Sequence, residues 1–203
     1  MTATELIQRV KVRLNRLDTS FNADMRNEEV LLYINSALQS LVNKIYNGRI
    51  DNAASVDALS IYLSTLKVLE GETPLTNNGV SLEDVLVFIG AEVYVSIGEF
   101  SAWVPGVEGI KGISIAERES NPFTKSTVDN PTYDLLNNKC IFVSEGFTCT
   151  KVKREFIKKP EEILESSTVD FRFLNELEEE ATTLILENIQ DPRISSQPQI
   201  SKS

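Results

Sequence analysis

The chain contains no histidine. That removes the side chain that titrates near neutrality, and with it the usual general base, the Ser-His-Asp and Cys-His arrangements, and most transition-metal sites. Cysteine is nearly as scarce, with Cys140 and Cys149 standing alone. Two thiols without an imidazole do not make an ordinary zinc site. They read as small core residues, the reading that suits a chain without an export signal, or else as a structural disulfide. The glycines do not form a phosphate cradle. Gly106-x-x-Gly109-x-x-Gly112 is neither a dinucleotide fingerprint nor a P-loop, has no Lys-Ser/Thr ending, and reads as a flexible loop tip. No carboxylate run has the spacing of an EF-hand. Long apolar runs are missing too. The stretch around Val85–Ile89 is broken by Glu92 and falls far short of the roughly 20 residues that span a bilayer. Met1-Thr2-Ala3-Thr4-Glu5 lacks the basic-then-apolar pattern of a signal peptide. These absences argue for a structural protein rather than an enzyme, with no cofactor, no metal, no membrane and no small-molecule substrate.

What is present is an ordinary globular mixture: 203 residues, 41% hydrophobic and 25% charged, enough to build a core. The formal charge of −10 runs against a dedicated nucleic-acid binder, whose affinity comes from Lys and Arg neutralising phosphates. Three segments carry helical periodicity. Residues 3–16 place Leu6, Ile7, Val10 and Leu14 on one face, with Arg9, Lys11, Arg13 and Arg16 around the rest as a solvated face or a contact for an acidic neighbour. Residues 27–46 place Val30, Ile34, Ala37, Leu38, Leu41 and Ile45 on another. Asn27 is the expected N-cap, Glu28 and Glu29 suit the positive end of the dipole, and Asn47-Gly48 supplies a left-handed stop. Residues 175–190 carry Leu177, Ala181, Leu184, Ile185 and Ile189, with Asn175 and Glu178 as a capping pair and Glu178-Glu179-Glu180 as a solvated face.

Between the helices the texture is β-rich, over residues 60–156. Ile61, Leu63, Leu66, Val68 and Leu69 alternate as in a strand, and residues 85–97 read as a strand with Gly90 as a bulge or bend, with a buried helix over 82–90 as the competing reading. Glu70–Pro74 and Asn77-Asn78-Gly79 carry turn chemistry. Residues 105–138 are punctuated by Gly, Pro and Asn and read as one long loop. Lys139–Val143 and Phe147–Phe156 then read as a β-hairpin turning at Gly146. Lys151, Lys153, Arg154, Lys158 and Lys159 are split between two faces by alternation, which favours scattered surface charge over a DNA-binding strip. Trp103, the one tryptophan, belongs at a loop base or in an interface. The fold class expected is α+β: a small helical body made of an N-terminal helix pair and a C-terminal helix, with an antiparallel β-sheet or barrel-like subdomain and extended arms. One domain spans 1–190, and 191–203 is a flexible tail, read either as a frayed terminus or as a segment whose Ile194 and Ile200 order against a partner.

Several segments stand in a telling order. Glu28-Glu29-Val30-Leu31-Leu32-Tyr33-Ile34-Asn35-Ser36-Ala37 opens a helix. Asn121-Pro122-Phe123-Thr124-Lys125 and Asn130-Pro131-Thr132-Tyr133 follow, then the expected hairpin. Phe156-Ile157-Lys158-Lys159-Pro160-Glu161-Glu162-Ile163 comes next, and Leu174-Asn175-Glu176-Leu177-Glu178 opens the last helix. This order resembles the head-to-tail connector proteins, the adaptor or neck-ring subunits of tailed bacteriophages of the crAss-like podovirus type. The resemblance covers residues 3–192, and no motif in it is specific alone. Phe156 stands where the pattern has Tyr, and residues 48–115 match nothing in it. It implies a virion structural protein made in the bacterial host cytoplasm. Such a protein forms a homo-oligomeric, twelve-fold ring that joins the portal protein to other tail or ring proteins. DNA passes through the lumen without specific binding, and an acidic lining lets it slide by like-charge repulsion. The partner-binding residues it implies are Trp103, Pro122, Phe123, Pro131, Tyr133, Ile194 and Ile200, with 105–138 and 191–203 as assembly arms. The alternatives are another virion component, such as a tail or baseplate subunit, and a soluble ligand-binding module, which needs an apolar cleft with converging polar groups.

Overall fold

A computed structural model of the chain describes residues 1–17, 25–49, 53–109, 115–121, 124–144 and 146–190. Residues 18–24, Gly112, Pro122, Phe123, and the tail 191–203 with Ile194 and Ile200 lie outside the described residues. The chain opens with α1 (Ala3–Leu17), α2 (Asn27–Tyr46) and α3 (Ala53–Leu66). The strands β1 (Lys67–Pro74), β2 (Gly79–Ser81), β3 (Val85–Ile97), β4 (Phe100–Pro105) and β5 (Val107–Glu108) follow. Then come α4 (Ile115–Ser120), β6 (Thr132–Leu136), β7 (Lys139–Val143), β8 (Thr148–Lys158) and α5 (Leu174–Gln190). The class is α+β, with a curled antiparallel four-stranded sheet shaped as a half-barrel. Where the sequence reading has one domain over 1–190, the chain divides into two compact units, residues 1–65 with 160–203 and residues 66–159.

The first unit is helical, and its core is the one the helical periodicities mark. Leu6, Ile7, Val10 and Leu14 of α1, Val30, Ile34, Ala37, Leu38 and Leu41 of α2, and Leu177, Ala181 and Ile185 of α5 are all buried together. Burying side chains of this kind is worth about 1.5–3 kcal/mol each as an upper figure. Helix α1 starts on a capping box. Thr2 Oγ1 accepts the Glu5 N–H at 3.2 Å, and Glu5 Oε2 accepts the Thr2 N–H at 2.8 Å. The cap of α2 is Arg26 rather than Asn27, and Glu29 Oε2 accepts the Arg26 backbone N–H at 3.1 Å. Asn27 instead accepts from Lys11 Nζ at 2.9 Å. Gly48 supplies the expected left-handed stop, at φ 64°. Asn175 lies inside the first turn of α5 rather than capping it.

Helix α3 corrects a strand expectation. Ile61 to Leu66 continue a helix begun at Ala53, in which Leu59 and Leu66 are buried and Tyr62 packs against the stacked rings of Phe171 and Phe173. The hydroxyls of Ser64 and Thr65 bond back to the carbonyls of Ile61 and Tyr62, at 2.6 and 2.7 Å. The alternation of Ile61 and Leu63 misled because the run Ala53, Ala54, Ala58, Leu59 favours helix and carries it onward.

The second unit holds two four-stranded sheets, ordered β1-β8-β3-β4 and β2-β7-β6-β5. The first is antiparallel throughout, and in the second β5 runs parallel to β6. The expected strand over 85–97 is β3, with a register shift between Phe88 and Gly90, where a bulge or bend is expected. Glu70–Pro74 is a bulged part of β1 rather than a turn. Asn77-Asn78 and Asn137-Asn138 all have φ between 49° and 57°; the second pair joins Leu136 to Lys139 as a two-residue hairpin loop.

Two expectations fail here for one reason. The hairpin expected from Lys139–Val143 and Phe147–Phe156 does not form. Strand β8 pairs on one side with β1 and on the other with β3, and β7 pairs with β2 and β6. Both edges of each strand are taken, so the chain crosses between sheets at Gly146, which does adopt a left-handed φ of 79°. The long loop expected over 105–138 is interrupted by β5, α4 and β6, because non-local partners capture short segments whose local signals are loop-like. The unit's core joins the two sheets through Val80, Tyr133, Cys140 and Phe142 against Val93, Val95 and Val152. Among the described residues no helix is long and apolar enough to cross a membrane.

Candidate partner-binding surface

Alternation along β8 sorts its side chains. Val152, Arg154 and Phe156 turn to the buried side, while Lys151, Lys153 and Glu155 turn to the other, outer face. Arg154 is only 7% exposed, yet it is satisfied: its guanidinium pairs with Glu70, donates to the Ser81 carbonyl at 2.5 Å and lies over the Phe156 ring. The basic stretch is thus divided between faces, as alternation requires, and its one buried member is an internal tie.

The outer face gathers an aromatic cluster. Tyr94 of β3 stands in register with Trp103 of β4 and Lys151 of β8. The Tyr94 and Trp103 rings meet edge to face at 5.4 Å. Lys153 places its ammonium 4.2 Å from the Trp103 ring centroid, a favourable placement of a cation on a ring face. Lys151 bonds Glu72 at 2.8 Å, which holds the Glu72 carboxyl below its ordinary pKa and raises that of Lys151. Beside this cluster runs an open groove of about 620 Å³, lined by Leu69, Gly71, Gly90, Glu92, Lys153 and Glu155 among others. It is shaped by what is missing. A Cβ at Gly71 or Gly90 would meet nothing within 4 Å. Leu69 stands at the rim 81% exposed.

Of the residues expected to bind partners, Trp103 is half-buried on this outer face. Pro131 and Tyr133 are not available there, because both are buried. Tyr133 packs against Phe88 and Phe142 in the core between the sheets, and burial pushes its phenol up to about 12. Their turn-like setting, Asn130-Pro131, hid the strand pairing that buries them. Pro122, Phe123, Ile194 and Ile200 lie outside the described residues. Leu69 and the glycine-floored groove were missed; the only sequence signal was an apolar residue ahead of a Glu-Gly-Glu bulge.

The glutamate run of α5 is also corrected. Glu178 and Glu180 are drawn out of the solvated face while Glu179 stays exposed on it, and all three pair with basic residues of α1 and α2. Glu178, 8% exposed, pairs with Arg9 at 2.8 Å, and Glu179 with Arg13 at 2.5 Å. Glu180 pairs with Lys44 at 2.5 Å and accepts from Ser40 Oγ at 2.6 Å. Two of the basic residues of α1 therefore meet acidic partners in their own chain. Asn35 is a second tie: its side chain accepts the Ile163 N–H at 2.8 Å and donates to the Ile163 carbonyl at 3.1 Å.

Cys140 and Cys149 are free and buried in the core of the second unit. Burial raises their thiols to about 12 and about 11, so at neutral pH neither is a nucleophile. Among the described residues no group of three or more Cys, Asp or Glu is placed to hold a metal ion. No protein-family model matches the chain, and no curated protein matches it either.

Proposed function

We propose that this chain is a virion structural protein, a ring subunit of a tailed-phage neck that joins the portal to the tail and continues the DNA channel. The observation that carries this reading is the kind of work the described polar residues do. Arg9, Arg13, Lys44, Arg154 and the glutamates facing them tie elements of the chain together, as a scaffold requires. The groups pushed furthest from their ordinary pKa, Tyr62, Tyr133, Cys140 and Cys149, owe this chiefly to burial, and none of them belongs to the groove lining. The half-buried aromatic cluster and exposed Leu69 offer contact area rather than a reaction site. The net charge of −10 suits a lumen from which DNA is repelled.

The test is the mass and symmetry of the assembled protein. Native mass spectrometry of the purified chain, or cryo-electron microscopy of particles containing it, should show a closed ring at a fixed multiple of the 22.7 kDa chain. A monomer at every concentration, together with absence from particles, defeats the reading.

A further inference from the structure

We infer that the half-barrel sheet joins copies of this chain edge to edge, with β4 of one copy pairing antiparallel with β1 of the next. The inference rests on the ring reading and names the surface that closes the ring. Strands β1, β8, β3 and β4 alternate in direction, so the two edge strands, β1 and β4, run opposite ways. An antiparallel sheet with opposed edges can be continued by an identical sheet without a break in the alternation. The contact uses two different edges, so it is heterologous and closes into a ring when its rotation allows.

Neither edge has a strand partner among the described residues. An edge strand is a template for pairing unless charge, proline or a bulge blunts it. Strand β4, Phe-Ser-Ala-Trp-Val-Pro, carries no charge at all, and its proline stands at the very end. Strand β1 is regular over Lys67–Glu70, with its bulge only after that.

Facing side chains select the register. Leu69 is in register with Glu155, on the same outer face as Lys153, which covers Trp103. Leu69 and Trp103 therefore stand on one face at opposite edges, the first 81% exposed and the second half-buried. Setting Trp103 of one copy opposite Leu69 of the next makes an aromatic–aliphatic cross-strand pair, the kind that stabilises sheets. In that register Val104 meets Val68 and Pro105 meets Lys67. The charges of β1, at Lys67, Glu70 and Glu72, meet only uncharged residues of β4, so no like charges are forced together.

The experiment is a disulfide trap in the full chain. Residues directly opposite in an antiparallel pair have Cα atoms about 4.5–5.5 Å apart, within the range a disulfide bridges. The Leu69→Cys/Trp103→Cys double variant, incubated with oxidised glutathione, should give a ladder of covalent multimers on a non-reducing gel. Each single variant should give none, and neither should Leu69→Cys/Ala102→Cys, whose second thiol lies on the opposite face. A folded double variant that assembles without cross-linking overturns the inference and leaves the ring reading standing. A wild-type chain that stays monomeric overturns both. Should circular dichroism show the double variant unfolded, Leu69→Lys decides, since an exposed position tolerates lysine. Loss of the oligomer supports edge pairing, and an unchanged oligomer overturns it.

Discussion

At the residue scale, single positions are decided by what surrounds them. Gly106 reads as part of a flexible tip, but a Cβ there would lie 3.0 Å from ring atoms of both Phe142 and Tyr133. The glycine lets two core rings close against the backbone where β4 gives way to β5. Gly106→Ala is expected to lower the stability of the second unit by about 1–3 kcal/mol, the usual cost of overpacking; thermal unfolding followed by circular dichroism checks it. Gly71 and Gly90, with open space around them, should accept alanine with no comparable loss. The asparagines at 77, 78, 137 and 138 show what sequence does reveal at this scale. Their left-handed φ values follow from a side chain that tolerates that region, and that preference needs no distant partner.

At the scale of elements, local periodicity and non-local pairing divide the outcome. Helices expected over 3–16, 27–46 and 175–190 appear as 3–17, 27–46 and 174–190, because an amphipathic stripe is a property of the segment itself. Apart from the β6–β7 hairpin, the strands between 105 and 158 are set by partners remote in sequence. Nothing within Lys139–Val143 shows that β2 will claim its edge, nor within Phe147–Phe156 that β1 and β3 will flank it. Ties between elements are equally hidden. Asn35 looks like any polar residue on a helix, yet it satisfies both backbone groups of Ile163. Asn35→Ala leaves those groups without this partner and should cost about 1–3 kcal/mol. Hydrogen exchange should show the loss first at residues 160–164, ahead of α2 itself; uniform loss across the unit would mean that Asn35 acts through the helix rather than through this tie.

At the scale of the whole molecule, charge and uncovered apolar surface act against each other. Copies carrying −10 each repel, while the edge contact inferred here is built from uncharged residues of β4. Salt screens repulsion, shortening its reach from about 30 Å at 0.01 M to about 8 Å at 0.15 M. Assembly is therefore expected to strengthen as salt rises from 0.01 to 0.5 M, measured by sedimentation velocity at fixed protein concentration. Assembly that weakens with salt would instead indicate ion pairs between copies, with Arg16 or Arg49 as the first residues to substitute.

The sequence by itself determined the α+β class, the three amphipathic helices and their buried stripes, the irregularity of β3 at Gly90 and the left-handed turns. It also excluded histidine chemistry. All of these depend on residue type or on spacing within one segment. Tertiary structure alone decided the division into two units, the separation of β7 from β8, the burial of Pro131 and Tyr133, and the engagement of Glu178-Glu179-Glu180 with α1 and α2. Each of these depends on which distant segment arrives alongside. Backbone edges and glutamate side chains carry no mark of their partner until the fold brings it within hydrogen-bonding distance.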